Sequence, residues 1–218
     1  MAVAYLVELK TMKGQHMRMQ KERIQMKERI IEMLMSTGRT GMEGLINYME
    51  ENGFFESPCS GANHLACEGG LSQHSYNVLC AMKDMSFLLY DGNKPLSKEI
   101  QDAIIICSLL HDLGKMGDFG KPGYVENILK GGKQSESKPY EINKDLIPVD
   151  HEIRSVNIAS KFIALTEDEY LAILWHNGLY GSFKYQIPGK ETKLYMLLHF
   201  ADMWASRVME RSEADETV

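Results

Sequence analysis

The sequence predicts an all-α protein: a helical bundle with one long aperiodic loop, room for a small β-hairpin, and a helical N-terminal extension. Three observations predict it. Apolar side chains recur at spacings of three and four along most of the chain. Capping and stop residues stand where those periods begin and end. No long run alternates as strands do.

Gln20 to Met35 reads as the first helix, with Ile24, Met26, Ile30, Ile31 and Leu34 as its apolar stripe. The first fifty residues carry nine of the fifteen methionines. Between Lys10 and Arg29 lie seven basic residues (Lys10, Lys13, Arg18, Lys21, Arg23, Lys27, Arg29) against Glu22 and Glu28. A Met-rich basic helix suits a partner or membrane surface, but packing on its own domain, or on a second copy in a homo-oligomer, is the expected use. Gly44 to Asn52 forms a second short helix, stopped by Gly53.

From Gly69 onward the period is regular, with Leu71, His74, Val78, Met82 and Met85 on one helix face. Ile100 to Leu110 is apolar almost all round, so this helix is expected at the centre. Residues 117–149 are rich in Gly, Pro and Lys and have no helical period. A loop of that length in a compact domain marks a candidate active-site flap, and Tyr140 to Val149 alternates loosely enough for a hairpin. A helix then starts near Asp150, with Val156, Ala159, Phe162 and Ile163 inward. Thr166-Glu167-Asp168-Glu169 is a capping box for a helix to Asn177, with Gly178 as its stop. The last helix runs from about Glu191 to Arg211, with Leu194, Leu198, Ala201, Ala205 and Val208 inward. The expected division is an extension (1–54), a main domain (55–212) and an acidic tail (213–218).

A chain of 218 residues can bury one substantial core. Its net charge of −6 argues against broad binding to duplex nucleic acid or an anionic membrane, while a local basic pocket for a small phosphorylated ligand remains compatible with it. Cys59, Cys67, Cys80 and Cys107 show no CxxC spacing and read as reduced thiols. No signal peptide or membrane span is expected, which points to the cytoplasm.

Polar residues on apolar faces carry the chemistry. His74 lies between Leu71 and Val78 on a buried stripe, His111 follows Cys107 by four, and His176 follows Ile173 by three. Asp202 lies between Leu198 and Ala205, and no Lys or Arg is spaced to reach it along its own helix face. A buried carboxylate without a cation costs several kcal/mol, and a divalent metal answers several of these placements together. Imidazole with carboxylate suits borderline first-row ions. Adjacent His111 and Asp112 at a helix end can turn toward one point. His151, at a helix start, is favoured in its neutral, metal-binding form by the dipole.

These residues in this order, His74, His111-Asp112, His151, His176 and Asp202, resemble the expanded H…HD…H…H…D set of the HD superfamily of metal-dependent phosphohydrolases. His111-Asp112-Leu113-Gly114-Lys115 is similar to the family's HD-[ILV]-G-K run. His64 to His74 looks like the H-x-A-x-x-G-G-L-x-x-H segment of its bacterial and phage branch, which includes 3′–5′ exoribonucleases. Leu198-His199-Phe200-Ala201-Asp202 is similar to that branch's closing helix. The exoribonucleases carry an oligonucleotide-binding barrel ahead of this domain; here about fifty mostly helical residues precede it.

The resemblance implies two divalent ions per chain, manganese or iron first, with cobalt, nickel, zinc or magnesium also admitted. His74, His111, Asp112 and Asp202 would hold one, and His151, His176 and a bridging Asp112 the second. It implies hydrolysis of a mono- or diester in a nucleotide or short oligonucleotide by hydroxide formed at the metals. Lys115 is the residue to stabilise developing charge on phosphate. His64 either contacts substrate or braces the Gly69-Gly70 turn. Two other readings stay open: a diiron oxygenase of the same fold, and a non-catalytic metal- or nucleotide-binding regulatory module.

Overall fold

The structure, a computed structural model, describes residues 2–89 and 95–211, with side chains from Met17 to Phe87 and from Pro95 onward. The expected tail 213–218 lies outside the described residues. Seven α-helices stand among them: α1 (Ala2–Ser36), α2 (Met42–Glu51), α3 (Gly70–Leu89), α4 (Lys98–Leu110), α5 (His151–Phe162), α6 (Glu167–Trp175) and α7 (Lys193–Trp204). The fold is all-α, as the periodicity predicts, with two minimal antiparallel ladders between α4 and α5. No described helix is long and apolar enough to cross a membrane.

The central layer is α3, flanked by α4 and α7, with α6 closing on α7, α5 and α4. The reason is apolar coverage: Ile104, Ile106, Leu109 and Leu110 of α4 and Leu71, Val78, Leu79 and Met82 of α3 are essentially inaccessible. The end of α1 joins the same core through Ile30 and Leu34, and α2 joins through Met42, Leu45 and Met49. Helix α1 is longer than the apolar stripe indicates, beginning at Ala2. Ile24, expected inward, is 59% exposed, while its neighbour Arg23 pairs with Glu68 at 2.7 Å.

Helix starts follow side-chain capping. Ser97 and Thr192 accept from Ile100 N and Tyr195 N, satisfying amides that a helix start leaves unpaired. The Thr166 capping box is present in both directions, at 3.2 and 2.8 Å. The same Glu169 also takes a bidentate pair from Arg39 at 2.5 and 3.0 Å, tying the α1–α2 turn to α6. Helix α6 ends at Trp175, short of the expected Asn177, and a 3₁₀ turn succeeds it at Gly178–Tyr180.

Two expectations are corrected. The hairpin does not lie within 140–149: Tyr140–Ile142 pairs with Tyr124–Glu126, joining the two ends of the loop, and Gly117–Asp118 pairs with Lys121–Pro122. Asn143 then ends the strand by bonding Gly123 O and Pro122 O, at 3.0 and 2.9 Å. Beyond it Ile147 and Val149 are exposed, so continued alternation would bury no face. The last helix is also not one α-helix to Arg211. At Ala205–Met209 it widens into a π turn, closed by Glu210 N to Ala205 O at 3.0 Å. The extra residue rotates the end of the helix about its axis, so Val208, expected inward, is 51% exposed.

Candidate metal centre

The centre forms where helix ends meet. His111 and His176 each come directly after the last residue of a helix, α4 and α6. A helix C-terminus leaves carbonyls unpaired, and each imidazole uses one from its own last turn. His111 Nδ1 donates to Ser108 O at 2.8 Å and His176 Nδ1 to Ile173 O at 2.7 Å. A carbonyl only accepts, so the proton is on Nδ1 and Nε2 is left with a lone pair directed inward. His74, from the second turn of α3, has its Nδ1 against Glu210 at 3.0 Å. His151, first residue of α5, has its Nδ1 3.3 Å from Glu152.

The four Nε2 atoms converge on Asp112. Oδ2 lies 3.5 Å from His74 and 3.4 Å from His111. Oδ1 lies 3.2 Å from His151 and 3.5 Å from His176. The imidazoles also meet in pairs, His74 with His111 at 3.3 Å and His151 with His176 at 3.2 Å. Asp202 joins the first pair through Oδ1, 3.2 Å from His74 Nε2. Thus the six sequence-predicted residues come together, from α3, the α4 end, α5, the α6 end and α7. His74, His111, Asp112 and His176 are inaccessible, while the His151 and Asp202 side chains keep 30% and 18% exposure and mark the open side.

This arrangement fits a metal on two grounds. Asp112 Oδ1 is buried and, among the described residues, is the one such side-chain oxygen or nitrogen without a hydrogen bond. Leaving a buried charged acceptor unsatisfied costs upwards of about 1–3 kcal/mol, and a cation between Oδ1 and its two imidazoles removes that cost. The donor set is also right: the triads His74–His111–Asp202 and His111–Asp112–His176 each place their ligand atoms within 4.8 Å of one another. These clusters can hold metal ions.

The charges agree. Burial opposes ionisation of Asp112, but Lys115, His111 and His151 outweigh it and hold the carboxyl well below its usual range. Asp202 is likewise lowered against its burial, by His74 first and then His111 and His176. Burial pushes His111 down, toward the neutral ligand form. Burial also acts against a charged His74 and His176, yet Cys59, Asp202 and Glu210 raise the former, and Asp112 and Asp202 the latter. The carboxylates thus favour positive charge at these two imidazoles.

Lys115, in the 3₁₀ turn Leu113–Met116, puts Nζ 2.6 Å from Asp112 Oδ2. It also lines a cavity of about 310 Å³ with Tyr124, Asn143, His151 and Arg154, walled by loop residues 142–149. The aperiodic loop therefore does face the centre. His64 does not brace the Gly69-Gly70 turn through its ring: its Nε2 is 3.3 Å from Cys59 Sγ and 3.9 Å from Glu210. His199 Nδ1 donates to His176 O at 2.7 Å and holds that segment in place.

Sequence reasoning misses two neighbours, Glu210 and Cys59. Glu210, its side chain 1% exposed, reaches His74 only because of the π turn, which a 3.6-residue period does not foresee. Cys59 sits in an irregular loop, folded back by Cys59 N to Leu65 O and Ser60 Oγ to His64 O. Gly70 lets that loop approach, since a Cβ there would lie 2.0 Å from Leu65 O.

Compared with family models, curated proteins and solved structures, the chain finds no match in any of the three, so a functional reading rests on the site itself.

Proposed function

We propose that the protein is a metal-dependent phosphohydrolase of the HD type, cleaving a phosphoester of a nucleotide-like substrate with two divalent ions, manganese or iron first. One observation carries the reading: Asp112 divides its two oxygens between two imidazole pairs, Oδ2 toward His74 and His111, Oδ1 toward His151 and His176. A carboxylate so placed suits a bridge, with Asp202 completing the first pair's set. Asp112, the four histidines and Asp202 would hold ions there, which would supply Lewis acidity and lower the pKa of water toward about 7.

The chain's own residues supply the rest. The Ser108 and Ile173 carbonyls keep His111 and His176 in the tautomer that directs a lone pair inward. Lys115 reaches the cavity from Asp112 and offers its ammonium to phosphate oxygens, with Arg154 on the same wall. The loop contributes an apolar wall to the same cavity through Ile142, Leu146 and Ile147. The four free thiols and acidic net charge suit a cytoplasmic protein acting on small phosphorylated ligands rather than duplex nucleic acid.

The test is manganese-loaded protein assayed with p-nitrophenyl phosphate, bis-p-nitrophenyl phosphate and a panel of nucleotides. Metal-dependent release that vanishes in Asp112→Asn is expected. Full metal occupancy with no turnover on any of them would overturn the reading.

A further inference from the structure

A third triad stands beside the centre. Cys59, His64 and His74 place their ligand atoms within 4.8 Å of one another. Cys59 Sγ and His64 Nε2 are 3.3 Å apart, close to the edge of a coordination tetrahedron with metal bonds of about 2.3 Å to sulfur and 2.0–2.1 Å to nitrogen. The sulfur is fully buried, 3.8 Å from Lys115 Nζ and 4.0 Å from Asp112 Oδ2. The phosphoester reading gives neither Cys59 nor Glu210 any part.

His74 belongs to two triads, this one and His74–His111–Asp202. Its Nδ1 is held by Glu210 at 3.0 and 3.1 Å, which leaves Nε2 as the one nitrogen it can offer an ion. One nitrogen lone pair cannot serve two ions. We infer that Cys59 and His64, with His74, form a position for a thiophilic divalent cation, of the zinc and cadmium class, that competes with the His111–Asp202 position for His74.

Ligand softness decides between them. Manganese prefers the nitrogen and carboxylate set. Cadmium or zinc gains a sulfur by moving toward Cys59. Binding converts the thiol to a metal thiolate and releases its proton to solvent; the Lys115 ammonium balances the new negative charge. A polar cavity of about 750 Å³, lined by His64, Glu210 and Arg207, opens this side to solvent. Occupation of the soft position strips the bridged pair of His74, so a thiophilic ion would act as an inhibitor of the manganese form. That consequence rests on the phosphohydrolase reading; the binding itself does not.

Cadmium titration of the full chain, followed by ultraviolet thiolate-to-cadmium charge transfer, tests it. The background is Cys67→Ser, because Cys67 is exposed and would bind adventitiously. We expect a band that saturates with one equivalent, is lost in Cys59→Ser, and needs about tenfold more cadmium in His64→Gln. His64 is partly exposed, so this second variant keeps the test valid if loss of the buried thiol impairs folding. Cadmium bound without a sulfur band, or a band unchanged in both variants, overturns the inference while leaving the centre intact. Failure to bind either cadmium or manganese overturns both.

Discussion

His151 and His176 present their Nε2 atoms to each other at 3.2 Å, from the start of one helix and the end of another. The Ile173 carbonyl fixes the His176 proton on Nδ1, so its Nε2 faces the second ring with a lone pair. A hydrogen or a metal ion between the two nitrogens would hold that separation.

Metal stabilisation should therefore depend on pH. His74 and His176 are raised above the ordinary value of about 6.5. Their protonated forms stabilise the metal-free fold below that value, and this contribution is lost as pH rises through their folded values. An incoming ion must displace those protons; His111, pushed down by burial, presents no such cost. The rise in Tm on adding manganese should be small near pH 6 and larger near pH 8. Calorimetric titration in buffers of different ionisation enthalpy should show net proton release. A shift independent of pH would contradict this.

Asp112 and Lys115 should show strong coupling in the metal-free protein. Asp112→Ala leaves a largely buried ammonium unpaired and is expected to cost about 3 kcal/mol. Adding Lys115→Met should recover most of that stability without recovering metal, as read by urea unfolding and metal analysis. Lys115→Ala alone should keep its metals and lower kcat on phosphoesters about 100-fold.

Gly114→Ala should loosen the centre from outside it. A Cβ at Gly114 would lie 2.3 Å from His151 O and 3.0 Å from Ser155 N, so the glycine is what lets the 3₁₀ turn abut α5. Separating them draws His151 away from Asp112. We expect destabilisation of about 1–3 kcal/mol and metal content falling toward one ion per chain, with helical circular dichroism retained.

Asp118 anchors the base of the loop. It accepts from the Tyr48 hydroxyl and from Phe119 N at 2.9 Å, and lies 3.3 Å from Lys161 and 3.9 Å from Arg154. Burial opposes its charge, but Tyr48, the Phe119 amide and Lys161 lower its carboxyl below the usual range. That stability is present above about 3.9 and is lost as pH falls through the lowered value. Asp118→Asn should cost about 2 kcal/mol at pH 7, with the gap from wild type narrowing toward pH 3 in chemical unfolding.

Periodicity and capping made the helical class, the burial of α4 and the start of α6 legible, because these depend on local propensity and on which face must leave water; that α3 and not α4 takes the central layer was not legible. Histidines and acids on apolar stripes likewise exposed their own candidacy, since a polar group on a buried face needs a partner. What local patterns cannot carry is convergence. Asp112's division between two imidazole pairs depends on α5 packing against Gly114, a contact across 37 positions of sequence. The strand pairing of Tyr124–Glu126 with Tyr140–Ile142, and the approach of Cys59 to His64, depend on loop closure. Glu210 reaches His74 through one extra residue in a helical turn, a shift that no 3.6-residue period encodes. The chain alone therefore determined which side chains must find partners, and the tertiary structure decided which partners they found, because those distances are set by how separate elements pack.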